Sequence, residues 1–233
     1  MTDLPAAVLW DMDGTLVDSE PFWIQAEIEL VRSFGRTWTV EDGMSLIGKD
    51  MSASAAALRA RGVDLPTEEI GRRLSTVVAR QVVDRPVWRP GARELLDDLA
   101  GRGVPQALVT SSPRVVADAV TDLLAGAPFA ASVALEDVTT PKPAPEPYET
   151  AARLLGVPIR DCVALEDSLS GLRAAVASGA VTIAIPHVVA LPADAGATIW
   201  PTLEGRGARD LAAVAAVVRR RGAAPAGPGR SAR

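Results

Sequence analysis

The second half of the chain alternates short apolar segments with amphipathic helical segments, and this alternation constrains the fold more than any other feature. Apolar runs rich in strand-forming residues recur at 104–109, 131–135, 162–165, 181–185 and 197–200. Helical patterns lie among them at 92–100, 114–124, 145–155, 169–178 and 208–220. Strands that alternate with helices favour a parallel sheet covered on both faces. The sequence therefore predicts an α/β fold with a doubly wound parallel sheet.

The first half breaks this alternation. An uncharged apolar run at residues 6–10 predicts another buried strand, but no comparable pattern follows for about ninety residues. Helical patterns occupy the gap, at 21–33, 52–61 and 67–84. A parallel crossover needs only about a dozen residues. We therefore predict a Rossmann-like core formed by residues 1–17 and 89–220, with a helical cap domain, residues 18–88, inserted after the first strand.

Composition limits the classes of partner. The chain has 233 residues and a net charge of -5, so it offers no basic field for nucleic acid or for an anionic membrane. Its single cysteine, Cys162, cannot form an intramolecular disulfide. Because we find neither a signal-peptide pattern nor a long apolar segment, we expect a cytoplasmic protein. We also expect a monomer or a weak homodimer. Residues 221–233, rich in Gly, Ala, Pro and Arg, predict a disordered tail.

Two carboxylates, Asp11 and Asp13, follow the first predicted strand directly. Ligands of open α/β sheets bind at the carboxyl ends of the strands, so both acids lie where chemistry is expected. Acids this close repel each other, and a site that keeps both usually holds a cation or divides a proton unequally between them. The segment alone is also compatible with an ordinary turn, because Asp and Gly are common turn formers.

Two more polar segments follow predicted strands. The hydroxyl and backbone N–H groups of Thr110–Ser112 suit phosphate oxygens, although a generic turn would look the same. Lys142 lies between two prolines, which hold the backbone extended and fix the direction of the side chain. A cation in this setting is suited to neutralise the charge of a phosphate and of a carboxylate nucleophile.

Glu166 and Asp167 follow the apolar run at 162–165. Carboxylates are the hard oxygen ligands that Mg2+ prefers, together with water and substrate phosphate. Capping of the helix that begins near Leu169 explains one of the two acids, but not both.

Together, these segments in this order resemble the haloacid dehalogenase-like (HAD) hydrolase superfamily, in the branch whose helical cap follows the first motif. That branch includes phosphoglycolate phosphatase-like and β-phosphoglucomutase-like members, and the resemblance covers about residues 5–205. It implies that Asp11 is the nucleophile and forms an aspartyl-phosphate. It implies that Asp13 is the general acid for the leaving alcohol and then the base that activates water.

The resemblance also implies a cofactor and a phosphate site. Mg2+ is expected to bind the Asp11 side chain, the Asp13 main-chain carbonyl and Asp167, with Glu166 in the same shell. Thr110 and Lys142 are expected to hold the phosphoryl oxygens, with help from the backbone of Ser111. The expected activity is Mg2+-dependent hydrolysis of a small phosphate monoester, such as a sugar phosphate.

Other activities of the superfamily fit less well. Haloacid dehalogenases and phosphonatases depart from the pattern at the second aspartate, so Asp13 argues against both. β-Phosphoglucomutases carry a cap histidine, a lysine and an arginine where this chain has Trp23, Ile47 and Met51; the single histidine, His187, lies outside the predicted cap. The phosphomutase remains the alternative enzyme. A non-catalytic phosphate-binding protein is the alternative of another class.

The predicted cap contains a few candidates for substrate selection. Gly48 and Lys49 lie in the loop where relatives place substrate-selecting groups, and Lys49 is one of only two lysines in the chain. Trp23 lies early in the cap and is suited to line a pocket or to pack the helices. The sequence does not identify the substrate.

Overall fold

A computed structural model of the chain describes residues 4–124, 126 and 128–223. Over these residues the sheet has six strands, all parallel, in the order β3-β2-β1-β4-β5-β6. The strands are β1 Ala7–Trp10, β2 Gln106–Val109, β3 Ala131–Val133, β4 Cys162–Glu166, β5 Val181–Ala184 and β6 Thr198–Ile199. The predicted doubly wound α/β fold is confirmed, and each predicted strand is present within a few residues of its expected position.

Helices separate the strands up to β5, whereas β6 follows β5 without a helix between them, and helices form a layer of their own after β1. They are α1 Glu20–Ser33, α2 Val40–Met44, α3 Met51–Ala60, α4 Thr67–Asp84, α5 Ala92–Gly101, α6 Arg114–Asp122, α7 Glu146–Leu154, α8 Leu169–Ser178 and α9 Ala208–Ala223. Short 3-10 turns occur at Leu135–Asp137 and Ile159–Asp161.

Two helical segments differ from the prediction. Helix α2 was not predicted, because five residues are too few to show a helical period; a capping box between Thr39 and Asp42 starts it. Helix α9 continues to Ala223, past its predicted end at residue 220. The remainder of the predicted tail, residues 224–233, lies outside the described part of the chain.

The centre of the sheet is buried on both faces, as a parallel sheet requires. Every residue of β1, β2, β4 and β5 is buried. The one polar side chain of β2, Gln106, accepts a hydrogen bond from Trp10 Nε1 at 2.9 Å and donates to the Leu96 carbonyl at 3.1 Å. Its amide therefore satisfies its hydrogen bonds within the core, and the strand can hold it without an unpaired polar group.

The chain leaves the sheet layer after β1 and returns to it before α5 through two adjacent segments. The Asp18 N–H donates to the Val87 carbonyl at 2.8 Å, and the Arg89 N–H donates to the Leu16 carbonyl at 3.0 Å. Helices α1 to α4 lie between these segments in sequence, and α4 contacts both α1 and α6. Within the described residues, no helix combines the length and the hydrophobicity needed to cross a membrane.

Candidate active site

The order of the strands places a crevice at the end of β1. Strands β2 and β3 lie on one side of β1, and strands β4, β5 and β6 lie on the other, so the strand order reverses at β1. Open α/β sheets bind ligands at such a switch point. Asp11 and Asp13 follow β1, Thr110 follows β2, and Glu166 and Asp167 stand at the end of β4. The fold thus brings the predicted residues from distant parts of the chain to one edge of the sheet.

Lys142 joins the ends of three strands through its ammonium group. Its Nζ donates to Asp11 Oδ1 at 2.7 Å, to Glu166 Oε1 at 2.6 Å and to the Val109 carbonyl at 3.0 Å. All three charged side chains are almost fully buried. Burial opposes the charge of the ammonium, yet the two carboxylates raise the pKa of Lys142 above its ordinary value. Lys142 is therefore a fixed positive charge beside Asp11.

Glu166 has hydrogen-bond donors on both oxygens. Oε1 accepts from Lys142 and from the Tyr148 hydroxyl at 2.7 Å, and Oε2 accepts from the Ser168 N–H at 3.2 Å and its hydroxyl at 3.1 Å. The first turn of α8 packs directly on this carboxylate: a Cβ added at Gly171 would lie 1.7 Å from Oε1. Glu166 is thus held in one orientation, and it in turn positions Lys142.

Asp11, Glu166 and Asp167 form a cluster of carboxylates whose oxygens lie within 4.8 Å of one another. Asp11 Oδ2 is buried and has no hydrogen-bond donor among the described residues. Burial and the neighbouring carboxylates raise the pKa of both Asp11 and Asp167. A divalent cation would supply the positive charge that this cluster lacks, so the residues fit a Mg2+ site. Gly14 allows the close approach, since a Cβ there would lie 2.1 Å from Asp167 Oδ2.

Asp13 turns away from that cluster and is surrounded by donors. Its Oδ2 accepts from the Ser112 hydroxyl at 2.7 Å and the Thr110 hydroxyl at 3.2 Å. Its Oδ1 accepts from the Ser19 hydroxyl and, at 3.5 Å, is near Trp23 Nε1. The side chain is therefore held by residues of the loop after β2 and of the start of α1, at the boundary between the sheet and the helical layer.

A cavity of about 360 Å³ opens above these residues, between the sheet edge and the helices that follow β1. From the sheet side it is lined by Asp11, Asp13, Ser111, Ser112, Lys142 and Asp167, among others. From the helical side it is lined by Glu20, Trp23, Ile24, Glu27, Gly48, Lys49 and Ser54, among others. This volume suits a small molecule.

The structure brings the predicted residues together with one difference in detail. Trp23, Gly48 and Lys49 line the cavity, as does Ser111, but the Thr110 hydroxyl is engaged with Asp13 and does not line it. His187 lies near Asp18, with 3.2 Å between Nε2 and Oδ1.

Sequence reasoning missed Ser19, Glu27 and Tyr148, and it did not predict that Ser112 contacts Asp13 or that Ser168 contacts Glu166. Glu27 left a usable signal. Its spacing of three, four and seven residues from Ile24, Trp23 and Glu20 places it on the same face of α1 as these residues, and this face lines the cavity. The contacts of Ser112 and Tyr148 join segments that are far apart in the chain, which no local pattern predicts.

Comparisons with known proteins agree with this geometry. Hexitol phosphatase B from Escherichia coli K12 is 30% identical over 185 residues, which cover 77% of this chain and 83% of that protein. The crystal structure of CbbY from Rhodobacter sphaeroides in complex with phosphate has a TM-score of 0.80 and 29% identity, and the match covers 89% of this chain and 99% of that chain.

Other relatives are larger. Protein SUPPRESSOR OF QUENCHING 1, chloroplastic, from Arabidopsis thaliana is 31% identical over 200 residues, which cover 82% of this chain but 19% of that protein. The chain therefore spans a minor part of some curated relatives that it matches. The model of the haloacid dehalogenase-like hydrolases matches residues 5–179. The chain belongs to the haloacid dehalogenase-like hydrolase family.

Proposed function

We propose that the protein is a Mg2+-dependent phosphatase that hydrolyses a monoester of a small phosphorylated metabolite. The observation that supports this most directly is the buried Asp11 carboxylate at the base of a cavity: Lys142 fixes Oδ1, and no donor in the described part of the chain reaches Oδ2. Similarity to hexitol phosphatase B supports the same reaction class.

In this proposal Asp11 attacks the phosphorus atom through its unbonded oxygen. A bond forms between Asp11 and phosphorus, the bond from phosphorus to the ester oxygen breaks, and Asp13 gives a proton to the leaving alcohol. Asp13 then takes a proton from water, the water oxygen attacks phosphorus, and Asp11 leaves as a carboxylate. The products are the alcohol and inorganic phosphate. The four donors near Asp13 hold it for both proton transfers.

The charges of the site suit a phosphoryl group in transfer. Lys142 and the backbone of Ser111 would hold the phosphoryl oxygens, whereas the hydroxyl of Thr110, also expected at this site, contacts Asp13 instead. Asp11 and Asp167 would bind Mg2+ with the main-chain carbonyl of Asp13, and Glu166 would act mainly by positioning Lys142. The bound ion would neutralise the negative charge that the carboxylates and the phosphate bring together.

We also propose that residues 18–88 act as a cap. They supply the helical wall of the cavity, and two adjacent segments connect them to the sheet layer. Closure of this wall over a bound ester would exclude water until the phosphoryl group has moved to Asp11.

A screen of phosphate monoesters tests the proposal. Purified protein with Mg2+ should release inorganic phosphate from at least one small ester, and EDTA should abolish the release. Asp11→Asn should reduce turnover by about a thousandfold or more, because the nucleophile is lost. Asp64→Asn, at an exposed loop position, is the matched control and should retain full activity.

Two results would overturn the proposal. One is retained turnover in Asp11→Asn. The other is conversion of β-glucose 1-phosphate to glucose 6-phosphate without release of phosphate, which would identify a mutase.

A further inference from the structure

One face of α1 forms the cavity wall opposite the sheet. Glu20, Trp23, Ile24 and Glu27 all line the cavity, at spacings of three or four residues that put them on one side of a helix. This wall faces the part of a bound ester that lies beyond its phosphoryl group. It carries two carboxylates, separated by two turns of helix.

Glu27 is the more buried of the two carboxylates. Its residue is only 5% exposed, and within the described part of the chain its one hydrogen-bond donor is Trp38 Nε1, which lies 3.1 Å from Oε2. No described cation pairs with it. Burial raises its pKa to about 7, although the Trp38 hydrogen bond partly opposes this. Gly43 of α2 lies against the same oxygen, since a Cβ there would come within 3.1 Å of Oε2.

The cations near the cavity do not offset this negative wall. Lys142 already pairs with Asp11 and Glu166 at the opposite end. Lys49, the other lysine of the lining, is exposed, and no arginine is among the described lining residues. Recognition of a second phosphate or of a carboxylate normally uses arginine or lysine side chains in contact with its oxygens.

We propose that Glu27 determines substrate specificity: the cavity accepts a phosphate monoester whose leaving group is a neutral polyhydroxylated alcohol, and rejects esters that carry a second anionic group. This inference rests on the proposed phosphatase function and adds the chemical class of the leaving group. A carboxylate in this wall attracts hydroxyl donors and repels anions, and the repulsion is strong because the wall is shielded from water.

A buried polar group of α3, on the same side of the cavity, fits the same class of ligand. Ser54 lines the cavity, is 8% exposed, and its hydroxyl can both donate and accept a hydrogen bond. Glu27 and Ser54 together would bind hydroxyl groups of the alcohol. A site built to bind hydroxyls discriminates strongly against analogues that leave its polar groups unpaired.

A matched pair of substrates tests the inference. Sorbitol 6-phosphate and 6-phosphogluconate differ at the far end of the chain, where one has a hydroxymethyl group and the other a carboxylate. With saturating Mg2+ at pH 8, where Glu27 is ionised, kcat/KM for sorbitol 6-phosphate should exceed that for 6-phosphogluconate by about tenfold or more. Para-nitrophenyl phosphate, measured in parallel, reports phosphatase activity that is independent of the polyol.

Glu27→Gln removes the charge and retains an oxygen that can accept from Trp38. It should lower the ratio between the two substrates by about threefold or more, mainly through a lower KM for 6-phosphogluconate. Glu20→Gln should change the ratio in the same direction. Glu29→Gln is the matched control: it lies on the exposed side of the same helix, outside the cavity, and should leave the ratio unchanged.

The possible results separate the two proposals. Equal or better hydrolysis of 6-phosphogluconate, with para-nitrophenyl phosphate also hydrolysed, would overturn the inference about Glu27 and leave the phosphatase proposal in place. An unchanged ratio in folded Glu27→Gln would do the same. Absence of hydrolysis of every ester, para-nitrophenyl phosphate included, would overturn both.

Discussion

Lys142 Nζ lies 2.7 Å from Asp11 Oδ1, although the two residues are 131 positions apart in the chain. The same ammonium group lies 2.6 Å from Glu166 Oε1, so a single buried cation separates two buried carboxylates. The pairing orients Asp11 and offsets the repulsion between the ends of β1 and β4. In the proposed function, stability and catalysis therefore depend on the same side chain.

Replacement of this lysine should impair both properties. Lys142→Met should lower the free energy of unfolding by about 3 kcal/mol, because it leaves buried carboxylates without their cation. Phosphate release should fall by about a hundredfold or more, since a charge at the transferred phosphoryl group is lost. Urea unfolding and a phosphate assay measure the two effects. Lys49→Met, at an exposed position, should change stability by less than about 0.5 kcal/mol, and a similar loss there would contradict the argument.

Gly171 should tolerate no side chain. In Gly171→Ala the Cβ would lie 1.7 Å from Glu166 Oε1, so either α8 or the carboxylate must move. We expect a loss of about 2 kcal/mol or more in the free energy of unfolding, together with reduced turnover. Gly101→Ala is the matched control, because a Cβ at this glycine at the end of α5 meets nothing within 4 Å. Chemical unfolding of both variants checks the prediction, and equal stability of the two would refute it.

Ser112 should affect turnover more than binding. Its hydroxyl donates to Asp13 Oδ2 at 2.7 Å, so Ser112→Ala frees the proposed proton donor to change orientation. We expect kcat to fall by about tenfold with little change in KM. Ser111→Ala keeps the backbone N–H that is proposed to bind phosphate, so the kcat of this variant should fall much less. Steady-state kinetics on one ester compares the two, and a change confined to KM would argue against this role of Ser112.

Mg2+ should stabilise the folded protein in the absence of substrate. A cation bound by Asp11 and Asp167, in the cluster that they form with Glu166, adds about 2.7 kcal/mol to the free energy of unfolding when its concentration is a hundred times Kd. Thermal unfolding should show a higher Tm with Mg2+ than with EDTA. Asp167→Asn should remove most of this shift, whereas Asp13→Asn, which keeps the main-chain carbonyl, should retain it. A Tm that does not respond to Mg2+ would count against the site.

Glu27 should make stability fall as pH rises. Its pKa is raised from 4.5 to about 7 in the folded state, so below pH 4.5 the group is protonated in both the folded and the unfolded state. Between pH 4.5 and 7 the unfolded state loses the proton first, which favours unfolding; above pH 7 the penalty is constant. The free energy of unfolding of Glu27→Gln, relative to that of the parent, should therefore increase by about 1 to 3 kcal/mol as the pH rises from 5 to 8. Urea unfolding at both pH values measures the gain, and Glu29→Gln should show none.

The local sequence was sufficient for most of the fold. Strand positions followed from short apolar runs, because residues buried on both faces of a parallel sheet need no alternation. Helix α2 could not be found in this way, because its five residues complete little more than one turn and its start depends on the pair Thr39 and Asp42. The positions of Asp11 and Asp167 at strand ends, and of Lys142 in the segment between β3 and α7, were likewise predictable from the pattern.

The sequence by itself determined that this is an α/β chain whose acidic, hydroxyl and lysine residues follow successive parallel strands. Those properties are set by local patterns and by the rule that parallel strands end at one edge. Only the tertiary structure decided that Glu166 accepts hydrogen bonds from both Lys142 and Tyr148. It also decided that Ser112 holds Asp13 and that Glu27 faces the cavity. Each of these depends on distances of a few ångströms between segments far apart in the chain. The electrostatic character of the cavity arises from those distances, because burial strengthens interactions between charges that would be weak in water.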